Sequence, residues 1–394
     1  MSVFAAVVTG KGTGAISTIQ VFGDSAEALV ASIFEPADGK EATIVQGKVL
    51  LGTITKDTEI IDQVVIGCEA PHSIAINCHG NPLIVAAIMQ LLAEQGAELL
   101  SADNLAKKIL CAEKIANTIA LEARLAQVSV CTIEGTRIIN AQIESGLNRT
   151  AQQWLDNIDD LTLDDIRAAA TDVIRNSIAA RLIIEGCKVA ITGPPNSGKS
   201  TLLNCLCGRQ KAIVTDIKGT TRDWLSARCT IDPLSVELID TAGLDVSTGS
   251  DSNDELDIVA QQRALKILKS ADMVLLVLDA SEPLDRLDPA MLERISGKRL
   301  LTILNKSDLP AKLDPDNLPE ILCERISLSA KLATGIEQLI AKIPQICGVT
   351  NFDVFSAICF TARQHTLLEQ LQQVQSKRDA TSAITELLNG SLDV

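Results

Sequence analysis

Residues Gly193-Pro-Pro-Asn-Ser-Gly-Lys-Ser200 have the residue types and spacing of a phosphate-binding loop. The apolar run 188–192 precedes the loop, and the helix-forming run 201–206 follows it. Backbone N–H groups at the start of such a helix face phosphate oxygens, and Lys199 adds a point charge. Asn196, Ser197, Gly198, Lys199, Ser200 and Thr201 are therefore the first nucleotide-binding candidates, with the Ser200 hydroxyl suited to Mg²⁺. Asp240-Thr-Ala-Gly243 follows the apolar run 236–239, which puts the Asp240 carboxylate at a strand end near that metal. Gly243 joins the nucleotide-binding and catalytic candidates. Asn305-Lys-Ser-Asp308 follows the apolar run 300–304. A carboxylate at Asp308 accepts two hydrogen bonds from the N1–H and amino group of guanine. Adenine has no such donor pair and would leave the carboxylate desolvated and unpaired. Ser329-Ala-Lys331 completes the set as a base-contacting loop, and Asn305 and Lys306 join the nucleotide-binding candidates. One motif alone is an ordinary turn. Four in this order point to GTP and GDP.

Composition limits the alternatives. The chain has 394 residues, room for two or three domains, and 46% of them are apolar. Tyr is absent and aromatic residues make up 2%, so cores must be aliphatic and stacking platforms for single-stranded nucleic acid are not expected. A net charge of −15 argues against broad binding to a phosphate backbone, and no DNA partner is expected. The 11 cysteines show no paired metal spacing and are read as reduced thiols. No signal peptide is evident, and no apolar run approaches the roughly 20 residues that span a bilayer. The expectation is a cytoplasmic protein without membrane partners.

The positioning elements follow from periodicity. Residues 1–103 read as a small α+β domain, with strands over 3–8, 17–22, 47–54, 63–68 and 73–78 and helices over 25–33 and 82–94. The run 63–68 alternates poorly and predicts a strand covered on both faces. Helices are predicted over 105–126, 137–157 and 163–185, the last after an N-cap in the acidic stretch 159–165. Residues 131–135 fit either a strand or a turn. Residues 185–349 alternate strand and helix, as in a P-loop GTPase domain with a mainly parallel, doubly wound sheet. Residues 350–394 return to helix, clearest over 361–377. The fold class is thus multidomain α/β and α. The simplest arrangement inserts the GTPase domain into one discontinuous helical domain, 104–184 plus 350–394.

With these runs in hand, the chain resembles the tRNA-modification GTPase family, MnmE or TrmE. The loop 193–201, the block Ala212-Ile-Val-Thr-Asp-Ile-Lys-Gly-Thr-Thr-Arg-Asp223 and the run 240–244 carry the resemblance. Gly12-Thr-Gly14 through Gly23 and Cys78-His-Gly80 resemble the family's first domain more weakly. The resemblance implies that Thr221 is a switch threonine on Mg²⁺ beside Ser200, ordered by the γ-phosphate. It implies a K⁺ ion held by Asn196 with the loop Thr215, Ile217 and Thr220, doing the work of an arginine finger. Arg222 reads equally as a switch charge or as a surface arginine. The resemblance also implies a homodimer through residues 1–103, a flavoprotein partner, and action on the wobble uridine of tRNA.

Several positions depart from the family. Its water-orienting glutamate corresponds here to Asp257 in Asp254-Glu-Leu-Asp257, with Glu255 as the alternative. Gln20 and Ala75 replace the arginine and glutamate of its folate site, so folate binding is expected to be weak or absent. The sequence ends Asn389-Gly-Ser-Leu-Asp-Val394, without the family's tail cysteine, and Cys347 and Cys359 lie outside any such motif. The catalytic candidates are Lys199, Thr221, Gly243 and Asp257. Two other readings remain at this point: a GTP-switched interaction protein without modification chemistry, and a Der-type ribosome-assembly GTPase.

Overall fold

The computed structural model describes residues 2–9, 14–56, 59–112, 117–209, 226–240, 265–283 and 289–390. The chain divides into two compact units, one up to Leu121 and one from Glu122 to Gly390.

The first unit is built on seven strands: β1 Val3–Val7, β2 Ile16–Phe22, β3 Phe34–Pro36, β4 Val49–Lys56, β5 Glu59–Ala70, β6 Ser73–His79 and β7 Ala97–Leu99. Their order is β3-β4-β5-β6-β2-β1-β7, antiparallel except for the parallel β1–β7 pair. Helices α1 (Ala26–Ile33) and α2 (Pro82–Glu94) supply Val30, Ile33, Ile88 and Leu92 to an aliphatic core with Ile19, Ile54, Ile66 and Ile76. The Asn81 side chain accepts from Leu83 N–H and Pro82 takes the first helical turn, which starts α2 where the apolar period begins. At Gly80 a Cβ would stand 2.3 Å from the Gly14 carbonyl oxygen, so only glycine admits that close approach.

β5 corrects the expectation of two-sided cover. Val64, Ile66 and Cys68 are buried, while Gln63 and Val65 are exposed. The strand alternates after all, because Val65 faces outward. Val65 pairs with Leu51, and Val49 and Leu51 of β4 are also exposed. An apolar strip therefore lies open on the outer face of this sheet.

The predicted helix 105–126 is two helices, α3 (Ala102–Ala112) and α4 (Thr118–Ala126). The Asn117 carboxamide accepts from Ala120 N–H, an N-capping bond that starts a new helix.

The second unit holds a six-stranded sheet of order β13-β12-β11-β8-β10-β9. Its strands are β8 Cys187–Thr192, β9 Ser226–Ile231, β10 Leu234–Asp240, β11 Met273–Asp279, β12 Arg299–Asn305 and β13 Arg325–Ser327. All pairs are parallel except the β9–β10 hairpin at the edge. The central strand β11 is buried from Met273 to Leu278, as an apolar run covered on both faces should be. One face packs into a core with Leu202, Leu206, Leu339 and Ile343, the other into a core with Ile267, Leu268 and Leu322.

Helices α5 (Ile133–Glu144), α6 (Gly146–Asp156) and α7 (Leu163–Ile184) precede this sheet. The predicted helix 137–157 is thus interrupted at Ser145. Gln142 is the cause: its side-chain oxygen accepts from Leu147 N–H and Ile358 N–H, and its amide donates to Ser356. The 131–135 ambiguity resolves into a helix start, with Thr132 capping Gly135 N–H. Thr162 and Asp165 form a capping box at the head of α7. After the sheet, the helix Ala362–Gln372 packs on α7 and the helix Lys377–Asn389 packs on α6. Chain on either side of the sheet segment therefore meets in one helical layer.

Candidate functional site

The end of β8 opens into the loop 193–198, and α8 (Lys199–Arg209) begins at the lysine. Glycine is required twice in this loop. A Cβ at Gly193 would stand 2.1 Å from the Val277 carbonyl oxygen, and one at Gly198 would stand 2.2 Å from Asn305 Nδ2. Both glycines have positive φ, as does Asn196 at 61°. The loop thus lies flat against β11 and β12 and bends back on the head of α8. Lys199 is buried at 4% exposure and donates to the carbonyl oxygens of Gly193 at 2.7 Å and Pro194 at 3.0 Å. The ammonium is held inside the loop's own curve, where a phosphate chain would lie.

Ser200 Oγ donates to Asp240 Oδ2 at 2.7 Å. A hydroxyl and a carboxylate from two elements thus converge beside the lysine, a hard-oxygen set that fits Mg²⁺. Ser200 would ligate the ion, and Asp240 would hold Ser200 or bridge through water. Bound there, Mg²⁺ would neutralise developing charge on the phosphates. Ser200→Ala is expected to weaken Mg-GTP binding about tenfold or more, from loss of a charge-assisted contact, and to weaken metal-free nucleotide binding much less. Titration with and without EDTA checks it. Equal losses in the two conditions would remove Ser200 from the metal.

At the end of β12, Asn305 joins three loops. Its Nδ2 donates to the Ser197 carbonyl oxygen at 2.8 Å, and its Oδ1 accepts from Ala330 N–H at 3.0 Å. At 2% exposure it acts as a strut between the phosphate loop and the 329–331 loop. The sequence marked Asn305 as nucleotide-binding, and this bracing role was not legible there. The Ser329 hydroxyl, with Lys331 and Lys306 nearby, holds the exposed Asp308 carboxyl below its usual range. Asp308 is therefore an anion poised to accept donors. Lys306 Nζ meets Asp279 Oδ2 at 2.6 Å, a contact the motifs did not reveal. Ser197 Oγ is buried without a hydrogen-bond partner among the described residues. Thr201 is exposed on the first turn of α8.

The structure brings together Asn196, Ser197, Gly198, Lys199, Ser200, Asp240, Asn305, Lys306, Asp308, Ser329, Ala330 and Lys331 at the C-terminal ends of parallel strands. Ligands bind there in open α/β sheets. Thr215, Ile217, Thr220, Thr221, Gly243 and Asp257 lie outside the described residues.

Comparison with known proteins agrees with this geometry. Residues 188–306 match the family described as 50S ribosome-binding GTPase, and residues 3–108 match the family described as GTP-binding protein TrmE N-terminus. The tRNA modification GTPase MnmE of Ligilactobacillus salivarius is 31% identical over 416 residues, 95% of this chain and 87% of that protein. The chain belongs to the MnmE family. The same-named protein of Streptococcus thermophilus is 32% identical over 375 residues, 86% of this chain and 80% of that one. That of Enterococcus faecalis is 29% identical over 422 residues, 98% of this chain and 88% of that one. This MnmE-family chain is a GTPase.

One further feature of this family member concerns its first unit. Gln20 and Ala75 stand opposite each other across the β2–β6 ladder. Gln20 Nε2 donates to Ser73 Oγ at 2.8 Å, and neither position 20 nor position 75 carries a charge. No helix among the described residues is long and apolar enough to cross a membrane.

Proposed function

We propose that this chain is a Mg²⁺-dependent, K⁺-assisted GTPase switch of the cytoplasm, acting with a flavoprotein partner in modification of the tRNA wobble uridine. The observation that carries the switch is the Asn305 strut, which fixes the phosphate loop and the guanine-reading loop relative to each other. The tRNA process rests on the names of the relatives and on the match over 3–108, which a Der-type GTPase does not call for. Folate meets no charged partner at Gln20 or Ala75.

The proposed catalytic parts are Lys199, Thr221, Gly243 and Asp257, with K⁺ held by Asn196, Thr215, Ile217 and Thr220. Asn196 supports the K⁺ reading: it is exposed, in a left-handed turn, at the rim of the phosphate loop. Fixed positive charge beside the transferring phosphoryl lowers the barrier. GTP hydrolysis is expected to run about tenfold or more faster in KCl than in NaCl of equal ionic strength, with ATP hydrolysed in neither. Equal rates in the two salts would remove the K⁺ site. Equal use of ATP would remove the guanine assignment.

Three domains make up this reading: 1–103, the discontinuous helical domain 104–184 with 350–394, and the GTPase domain 185–349. The first is proposed to hold a constitutive homodimer, supported by the open strip of Val49, Leu51 and Val65 on its outer sheet face. Full-length protein at tens of micromolar should scatter light as a dimer, and a chain lacking 1–103 should be a monomer that still binds GTP. A full-length monomer would refute the dimer, and a dimer that survives the deletion would place its interface elsewhere.

A further inference from the structure

Asp279 ends β11 at the rim of the nucleotide site, directly opposite Asn305 in the parallel ladder. The Ala280 N–H donates to the Asn305 carbonyl oxygen at 2.9 Å, which locks the two strand ends in register. Lys306 is the next residue, and its backbone is left-handed at φ 62°. That conformation is rare for a lysine, and it turns the side chain's origin away from the course of β12.

Lys306 Nζ sits 2.6 Å from Asp279 Oδ2. The other oxygen, Oδ1, is occupied as well. It accepts from the Ser281 hydroxyl at 2.6 Å and from the Ser281 N–H at 2.9 Å. The carboxylate is therefore fixed before it meets the lysine. Burial alone would push the Asp279 carboxyl up, but Lys306 and the two Ser281 donors outweigh it and hold it below its usual range. Both Asp279 and Lys306 line a cavity of about 210 Å³ shared with Pro194, Asn196 and Ser197 of the phosphate loop.

A free lysine side chain samples many rotamers, and ordering it on a ligand costs conformational entropy. An ammonium has three N–H donors. Asp279 takes one and leaves the rest of the headgroup facing the loop cavity. A carboxylate placed this close to a polyphosphate would repel it unless its charge were met, and Lys306 meets it.

We propose that Asp279 is a positioning residue for guanine-nucleotide binding: held by Ser281, it presents the Lys306 ammonium to the nucleotide in a fixed place. Asp279 acts only through Lys306. GDP and GTP gain equally, because the contact lies beside the motif that reads the nucleoside and not beside Ser200 and Asp240.

The inference rests on the nucleotide site described above, and full-length wild-type protein binding a fluorescent GDP analogue is the control for that site. Asp279→Asn keeps the shape and removes the charge. It should raise the dissociation constant about tenfold for both GDP and GTP, the size of one charge-assisted hydrogen bond. Lys306→Met should raise it at least as much. The double variant Asp279→Asn/Lys306→Met should bind no worse than Lys306→Met alone, because the aspartate has nothing left to position. Asp279→Glu should recover part of the loss, a rescue that a merely structural role would not give. Losses that add in the double variant would overturn the proposal, and so would wild-type affinity in Asp279→Asn. A wild-type protein that fails to bind the GDP analogue would instead overturn the site itself.

Discussion

Asp308→Asn is expected to exchange guanine for xanthine as the preferred base. The wild-type carboxylate accepts from two donors on guanine, N1–H and the C2 amino group. An asparagine presents one acceptor and one amide donor. The amide then faces the amino group, donor against donor, and one buried bond is lost on each side. Xanthine carries an oxygen at C2 and restores the match. A site built on such bonds rejects the wrong partner by about 10⁴-fold. The local frame supports the swap, since Ser329 and Lys331 lie beside the side chain at 308 and Asn305 holds the Ser329–Lys331 loop through Ala330. Competition of unlabelled GTP and XTP against a labelled nucleotide reads the ratio. Asp308→Asn protein that still prefers GTP would show that Asp308 does not touch the base.

Glu122→Ala is expected to loosen the helical layer more than any single surface change. Glu122 is 4% exposed and accepts four hydrogen bonds: from Thr361 Oγ1 at 2.8 Å, Arg363 Nε at 2.9 Å, Arg363 Nη2 at 2.7 Å and Gln364 Nε2 at 2.7 Å. Arg363 also donates to the carbonyl oxygens of Glu386 and Leu387, near the end of the helix Lys377–Asn389. One carboxylate thus ties α4 to both C-terminal helices. Removing one member of a buried ion pair costs about 3–5 kcal/mol. The lower end applies here, because the Arg363 side chain keeps 21% of its surface in solvent. Glu122→Gln keeps the shape and should cost less. Hydrogen exchange in residues 362–389 should accelerate roughly 100-fold in Glu122→Ala, the rate equivalent of about 3 kcal/mol. Unchanged protection would mean that the helices hold without this cluster.

The nucleotide site was legible because phosphate and guanine recognition demand particular residue types at short, fixed spacing. Asp240 and Asn305 each end an apolar strand, Asp308 follows in the next loop, and Lys199 and Ser200 open the helix after β8, so the strand runs that lead to them can be read from sequence. Contacts between distant positions could not be read in that way. Asp279 and Lys306 are separated by 27 residues, and Glu122 and Arg363 by 241. Nothing local in either pair marks its partner. Helix breaks were missed for a related reason. Asn117 starts a new helix and Gln142 interrupts a predicted one by hydrogen-bonding backbone N–H groups, which apolar spacing does not register. The outward turn of Val65 was missed because three apolar residues in a row hide a period of two.

The central claim is that GTP turnover at Lys199 serves modification of the wobble uridine of tRNA. Mass spectrometry of tRNA nucleosides tests it, in a bacterial strain deleted for its own MnmE-family gene and supplied with this chain. The account predicts that the modified uridine returns with the wild-type chain and stays absent with Lys199→Ala at equal protein level. The modification remaining absent while the purified wild-type chain hydrolyses GTP would contradict the claim.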